Sequence, residues 1–198
     1  MRFWDGVKNR RSIYGLGDEE IVPQARIEQI VNDAVTHVPS PFNSQSTRVL
    51  LLFGSAHKKL WQFTLDELRK VTKPERFAET EKKVNGSFAS GYGTVLYFID
   101  KNVVDDLAAQ FPLYADNFAL WSQHSSAMHQ YVIWTALEAE GLGASLQHYS
   151  PLIDEAVRKE WKVPQSWQGV AQMPFGKPTL PPGEKEFDSL DERVKVYR

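Results

Sequence analysis

Cysteine is absent from the 198 residues of this chain. Its absence excludes disulfides, thiolate nucleophiles, iron–sulfur clusters and cysteine-ligated zinc sites. It also agrees with a reducing compartment. The N-terminus is charged and lacks the apolar core of a secretion signal, so a cytoplasmic location is expected.

Long apolar runs and a large excess of one charge are also missing. No stretch approaches the roughly 20 apolar residues of a membrane-spanning helix. The formal net charge of -2 provides no electrostatic attraction to nucleic acid or to an acidic membrane. The remaining composition, 42% hydrophobic and 24% charged, is typical of a globular domain. We therefore expect one domain over residues 1–198, without nucleic acid or membrane partners.

Several well-known catalytic motifs are missing too. The chain has no G-x-G-x-x-G dinucleotide fingerprint, no Walker-type phosphate loop and no G-x-S-x-G nucleophile elbow. His124 and His129 are five positions apart on a predicted helix, a poor spacing for joint metal ligation, and H-E-x-x-H does not occur. The sequence therefore predicts no metal site and no conspicuous catalytic dyad.

Hydrophobic spacing predicts the main elements. Apolar residues on one face predict a helix over residues 24–38, which Pro39 ends. Apolar runs predict strands over 49–53, 94–99 and 169–173. Further helices are expected over 56–70, 102–110, 122–140 and from Ser150-Pro151 to about residue 161, with a surface break at Lys73-Pro74-Glu75 and an irregular aromatic stretch over 111–121. Helices and strands are mixed without strict βαβ alternation, so an α+β fold is expected. The 122–140 helix is apolar around most of its circumference, which favours a central, buried position.

The loop Pro39–Ser46 joins the first predicted helix to a strand. Ser40, Asn43 and Gln45 supply hydroxyl and carboxamide groups, which donate and accept hydrogen bonds along planar polar edges. A proline-stiffened loop of this kind suits a flat heteroaromatic ligand. An ordinary Ser/Asn/Pro turn has the same composition and is the alternative.

A compact set of anion-binding groups precedes that loop at Arg10, Arg11 and Ser12. Guanidinium groups bind phosphate oxygens bidentately, and a hydroxyl adds a neutral donor. A basic pair near a terminus is also a common solvated surface feature. The order of the two motifs along the chain favours the ligand-binding interpretation.

Arg10-Arg11-Ser12 followed by Pro39-Ser40 and Asn43-Ser44-Gln45 resembles the nitroreductase family of FMN-dependent oxidoreductases. The similarity extends over nearly the whole chain, and it is greatest for the subgroup related to the fungal fatty-acid-repression-mutant proteins. Further matching segments are Trp61, Gly91–Thr94, Phe118–Ser122, Gly141–Tyr149 and Gln172–Gly176. Tyr14 and Pro41 depart from the wider family, where a basic residue and a second serine are common.

The resemblance implies a nitroreductase-like fold, with a mixed central β-sheet flanked by helices. It also implies an intertwined homodimer, in which residues 177–198 form a C-terminal arm that packs on the partner subunit. The implied cofactor is FMN. Arg10, Arg11 and Ser12 would hold its phosphate and ring, and Ser40, Asn43 and Gln45 would reach the isoalloxazine and ribityl groups, in part across the dimer interface. Lys185 would complete the phosphate site, with Lys177 and Arg193 as alternatives.

The segment Gly143–Tyr149 follows a glycine break, so we expect its backbone amides to be free to donate to a ligand. A helix C-cap followed by a turn is the alternative. In the resembled family this segment lies against the pyrimidine side or the dimethylbenzene edge of the flavin, which makes Gln147 and His148 candidate cofactor contacts. An aromatic set could wall a substrate slot or could belong to the core: Tyr14, Phe42, Tyr114, Phe118 and Trp121.

The resemblance implies an enzyme that takes hydride from NAD(P)H and reduces nitroaromatic or quinone-type acceptors by a ping-pong mechanism. No special protein acid or base is needed, because the cofactor carries the redox chemistry. One alternative is a non-enzymatic flavin-binding redox sensor or regulator in stress or lipid signalling. Another is a structural or interaction protein in which the motifs are only turns and caps.

Overall fold

The structure, a computed structural model, describes residues 3–198. Its helices are α1 (Phe3–Asn9), α2 (Gln24–His37), α3 (Gly54–Val71), α4 (Pro74–Val84), α5 (Lys101–Gln110), α6 (Ala115–Ala139) and α7 (Asp154–Trp161). The strands are β1 (Leu16–Gly17), β2 (Thr47–Phe53), β3 (Gly93–Asp100), β4 (Gly143–Ala144) and β5 (Trp167–Pro178). None of the helices in this range is long and apolar enough to cross a bilayer.

One sheet carries the strands in the order β1-β5-β3-β2, and β4 also pairs with β5. All of these strand pairs are antiparallel. Between β2 and β3 the chain runs out along α3 and back along α4, so β3 starts beside the end of β2, where Gly93 pairs with Phe53. A mixed sheet was expected, but the paired strands are antiparallel. In residues 3–198, parallel pairing is confined to the isolated bridge between Ser12 and Ala144.

Both faces of the sheet are covered, as the unbroken apolar run of β3 indicates. Its residues from Gly93 to Ile99 are buried. Val95 and Tyr97 pack with α2 and α6 on one face, while Leu96 and Phe98 pack with α3 and α7 on the other. The alternation of side chains along a strand therefore divides β3 between two cores.

Several predicted boundaries are wrong. α6 begins at Ala115 rather than at residue 122, so most of the stretch predicted to be irregular is helical. Pro74 does follow a break, but it also opens α4, a helix that the prediction missed. Its signals were Pro74 in the first turn with Glu75 beside it. The predicted last helix begins at Asp154 and not at Ser150-Pro151, and the hydroxyl of Ser150 instead accepts a hydrogen bond from Gln172.

The long helix α6 buries the polar part of its surface. Ser122, Ser125, Ser126, His129 and Gln130 are buried against the rest of the chain. Its opposite face is exposed and carries apolar side chains, namely Leu120, Met128 and Tyr131. α6 is therefore not buried on all sides within one chain, although its sequence favours a central, buried position.

A buried hydrogen-bonded chain connects α3 to β3. The Trp61 indole N–H donates to Thr94 Oγ1 over 3.0 Å, and Thr94 Oγ1 lies 2.8 Å from His57 Nδ1. The other ring nitrogen, Nε2, lies 3.2 Å from the Ala89 carbonyl oxygen. This arrangement assigns the neutral ring, in which Nδ1 accepts from Thr94 and Nε2–H donates to Ala89.

Stability should fall with acidification because of His57. Burial lowers the pKa of His57 from 6.5 to about 4. Between these values the unfolded chain binds a proton that the folded chain excludes, so the free energy of unfolding falls as the pH falls through this window. The full difference corresponds to about 3 kcal/mol.

Urea unfolding at a series of pH values from about 7 to about 4 should show this loss, and His57→Gln should remove much of it. An equal pH dependence in both proteins would contradict the assignment.

Candidate functional site

The segment Arg10–Ile13 is held against β4. The Ile13 amide donates to the Ala144 carbonyl over 2.9 Å, and Ser12 forms a bridge with Ala144. A Cβ atom at Gly143 would lie 2.8 Å from the Ile13 side chain, so this close approach requires glycine. The position of the arginines is therefore fixed by the start of β4, far away in the sequence.

A cavity of about 450 Å³ lies along this segment. Arg10, Arg11 and Ser12 line one side, and the tail residues Gly183, Glu184 and Lys185 line another. Arg11 Nη2 donates to the Gly183 carbonyl over 2.6 Å, which ties the segment to the tail. Two guanidinium groups, an ammonium and a hydroxyl form a donor set that fits a phosphate monoester. Glu184 is the acidic group at its rim.

The cavity distinguishes Lys185 from its two alternatives. Lys177 lies at the end of β5 and pairs with Glu19. Arg193 lies further along the tail, where its amide donates to the Leu190 carbonyl. Lys185 is the one of the three that lines the cavity with Arg10 and Ser12.

The loop over residues 40–46 holds strained backbone. Phe42, Asn43 and Gln45 have φ values of 56°, 51° and 49°, in the left-handed region that non-glycine residues rarely adopt. The Ser40 hydroxyl accepts a hydrogen bond from the Gln45 amide over 2.9 Å, which closes the loop. The side chains of Asn43 and Gln45 are consequently exposed at the surface.

Phe42 connects this loop to an aromatic cluster around the start of α6. Its ring centroid lies 4.8 Å from Phe111, 5.4 Å from Phe118, 6.0 Å from Tyr114 and 6.4 Å from Trp121. Phe118 is buried and belongs to the core, whereas Phe42 and Tyr114 are exposed. Tyr14 lies elsewhere, on the cavity with Arg10 and Ser12. The structure therefore brings together four of the five predicted aromatic residues, of which Phe118 is a core residue.

The segment after β4 is more strand-like than expected. The amides of Ser145 and Gln147 donate to the carbonyls of Pro174 and Gln172, and the Tyr149 amide donates to the Gln172 side chain. The prediction that this segment's amides are free is thus wrong for these three. In the described part of the chain, the amides of Leu146 and His148 take no part in this pairing. Gln147 donates its side-chain amide to Ser145, and His148 is exposed.

A second cavity of about 490 Å³ lies beside the first and contains residues that the sequence analysis missed. Trp134 and Glu138 of α6 line it, and Arg11 lines both cavities. The Arg10 guanidinium lies over the Trp134 ring, 4.3 Å from its centroid. One sequence signal could have identified this pair. Glu138 is an acidic residue four positions after Trp134, in a helix that was expected to be apolar around most of its circumference.

The family model that matches this chain is that of the nitroreductase family, over residues 7–177. The chain belongs to the nitroreductase family. HBN1 of Saccharomyces cerevisiae is 38% identical over 188 residues, which cover 93% of this chain and 92% of that protein. The nitroreductase FRM2 of the same yeast is 32% identical over 199 residues, covering 98% and 96%.

A solved nitroreductase, CinD from Lactococcus lactis in complex with 4-nitrophenol, is 42% identical to this chain. The match covers 100% of both chains with a TM-score of 0.90. These findings confirm the predicted family, its fatty-acid-repression-mutant subgroup and the nitroreductase-like α+β fold. Family membership supports oxidoreductase activity.

Proposed function

We propose that the protein is an FMN-dependent oxidoreductase that takes hydride from NADH or NADPH and reduces nitroaromatic or quinone-type acceptors by a ping-pong mechanism. The observation that carries the proposal is the meeting of Arg10, Arg11, Ser12 and Lys185 in one cavity. Such a donor set suits a phosphate that is held at a fixed place. A nitroreductase as similar as CinD binds 4-nitrophenol, which is itself a nitroaromatic.

The chain's own residues would bind and orient the cofactor. Arg10, Ser12 and Lys185 hold the phosphate, while the unpaired amides of Leu146 and His148 are available to donate to the ring. Amide donors at that place would stabilise negative charge on it. When bound, FMN supplies the hydride-transfer chemistry, so the protein needs no acid or base of special type.

The other half of the site is proposed to come from a partner subunit. Within one chain, Ser40, Asn43 and Gln45 lie beside the Phe42 aromatic cluster, while Arg10 and Ser12 line the phosphate cavity. A homodimer would place the loop of one subunit over the cavity of the other. Phe42, Tyr114 and Trp121 would then form a wall against which a flat acceptor stacks.

Two features of the chain support the homodimer. The exposed face of α6 carries Leu120, Met128 and Tyr131 over three helical turns, and monomers rarely leave such contiguous apolar surface uncovered. The tail also exposes large apolar side chains, among them Phe187 at 78% and Tyr197 at 91% of full exposure. Lys177 and Pro178 pair with β1, and Gly183 accepts a hydrogen bond from Arg11 of the same chain, so we propose that the C-terminal arm packs on the partner through the tail that follows Lys185.

The purified protein should bind FMN, lose the oxidised flavin absorbance on anaerobic addition of NADH or NADPH, and regain it with a nitroaromatic. Steady-state rates against both substrates should give the parallel double-reciprocal lines of a ping-pong mechanism. Bound flavin that neither nicotinamide nucleotide reduces would favour a redox sensor instead. A protein that binds no flavin would contradict the proposed function altogether.

A further inference from the structure

Trp134 and Glu138 lie one turn apart on α6 beside Arg10, and neither contacts the proposed phosphate cavity directly. The Trp134 ring lies under the Arg10 guanidinium, with 4.3 Å between the guanidinium carbon and the ring centroid. Glu138 interacts with the same guanidinium through its charge, which opposes the effect of burial on the Glu138 pKa. Both side chains line the neighbouring cavity of about 490 Å³.

We propose that Trp134 is a positioning residue for Arg10 and that Glu138 moderates the charge that Arg10 presents to an anion. Trp134 fixes the plane of the guanidinium, and Glu138 limits how strongly Arg10 attracts an anionic phosphate. The inference rests on the proposed function, because it assigns to Arg10 the phosphate of FMN. It adds two residues of α6 that act on the phosphate site through Arg10, although the Arg10-Arg11-Ser12 motif itself lies near the N-terminus.

Trp134 acts on Arg10 through its position against the guanidinium. A guanidinium stacked on an aromatic ring uses one of its faces and keeps its N–H groups, which lie in its plane, free for a bidentate phosphate contact. Over residues 3–198, no hydrogen bond from the Arg10 side chain fixes that plane in another way. The ring contact is therefore what orients the guanidinium before the phosphate arrives.

Glu138 acts on Arg10 through its charge. Its Oε2 atom is buried and has no hydrogen-bond partner, and no ion pair joins it to Arg10 in the described part of the chain. Burial raises the pKa of Glu138, and the charge of Arg10 counteracts that rise. Glu138 therefore acts through space and not as a clamp. Its negative charge reduces the attraction of Arg10 for a phosphate, because both anions interact with the same cation.

The test compares FMN and riboflavin, which lacks the phosphate, by titration of the flavin-free full-length protein. Glu138→Gln should lower the Kd for FMN about three- to tenfold and leave the Kd for riboflavin unchanged. Added salt should shrink the difference between variant and wild type. Glu140→Gln is the matched control, since it removes the same charge from the end of α6 but from a carboxylate that pairs with Arg26.

Trp134→Leu should raise the Kd for FMN about three- to thirtyfold, and Trp134→Phe should restore most of the affinity because a ring face remains. A general packing role would weaken the binding of both flavins alike. An unchanged or higher Kd for FMN in Glu138→Gln, or equal losses in the Leu and Phe variants, would overturn the inference. Failure of the wild type to bind FMN would overturn the proposed function as well, so the two failures are distinguishable.

Discussion

Replacing Arg10 by alanine is expected to raise the Kd for FMN about ten- to a hundredfold. The substitution removes a guanidinium that lines the phosphate cavity with Ser12 and Lys185. Hydrogen bonds to charged groups contribute roughly 1.5–3 kcal/mol each, which gives a change of this size. Quenching of flavin fluorescence during titration of the flavin-free protein measures it.

The Arg10→Ala experiment has two controls. Lys8→Ala removes an equal charge two residues earlier, from an exposed side chain of α1, and should leave the affinity within about twofold of wild type. Riboflavin should bind Arg10→Ala and wild type equally, because it has no phosphate. Wild-type affinity for FMN in Arg10→Ala would mean that the phosphate lies elsewhere.

Replacing Met128 by glutamate is expected to dissociate the proposed homodimer and to release FMN with it. Met128 lies in the exposed apolar face of α6, between Leu120 and Tyr131. An unpaired charge buried in an interface costs about 3–5 kcal/mol. A two-fold interface carries the substitution twice, so the dimer should weaken by at least about ten-thousandfold.

Light scattering at low micromolar protein concentration would measure the mass of the Met128→Glu variant. The matched control is Val71→Glu, an exposed apolar residue at the end of α3 on the other side of the sheet from α6. The control should keep the mass of the wild type. A Met128→Glu variant that retained both a dimeric mass and bound FMN would exclude this face of α6 as the interface.

In the proposed homodimer, each chain would contribute two separate half-sites, one at the phosphate cavity and one at the Ser40–Gln45 loop. Arg10 and Ser12 are placed by β4, through Ala144, whereas Asn43 and Gln45 are placed by a strained loop beside the aromatic cluster. An interface through α6 could bring a second copy of each half into register. The two variants above test the two parts of this arrangement separately.

Elements whose apolar residues follow a local pattern were predictable from the amino-acid sequence alone. α2 lies where helical periodicity predicts it, and β2 and β3 lie where short runs of apolar residues predict them. The Arg10-Arg11-Ser12 motif and the Ser40–Gln45 loop were also visible, since residue type and order alone identify them. The family followed from those motifs.

Features that depend on contacts between residues far apart in the chain could not be predicted from local patterns. α6 begins at Ala115, in a stretch that composition alone predicts to be irregular, and its first two turns pack against Phe42 through Phe118 and Trp121. The burial of the serines and the exposure of the apolar residues of α6 were likewise not predictable from the sequence. A helical pattern does not reveal which face meets the sheet when both faces can be covered. The stacking of Arg10 on Trp134 joins residues far apart in the chain, and no local pattern encodes that contact.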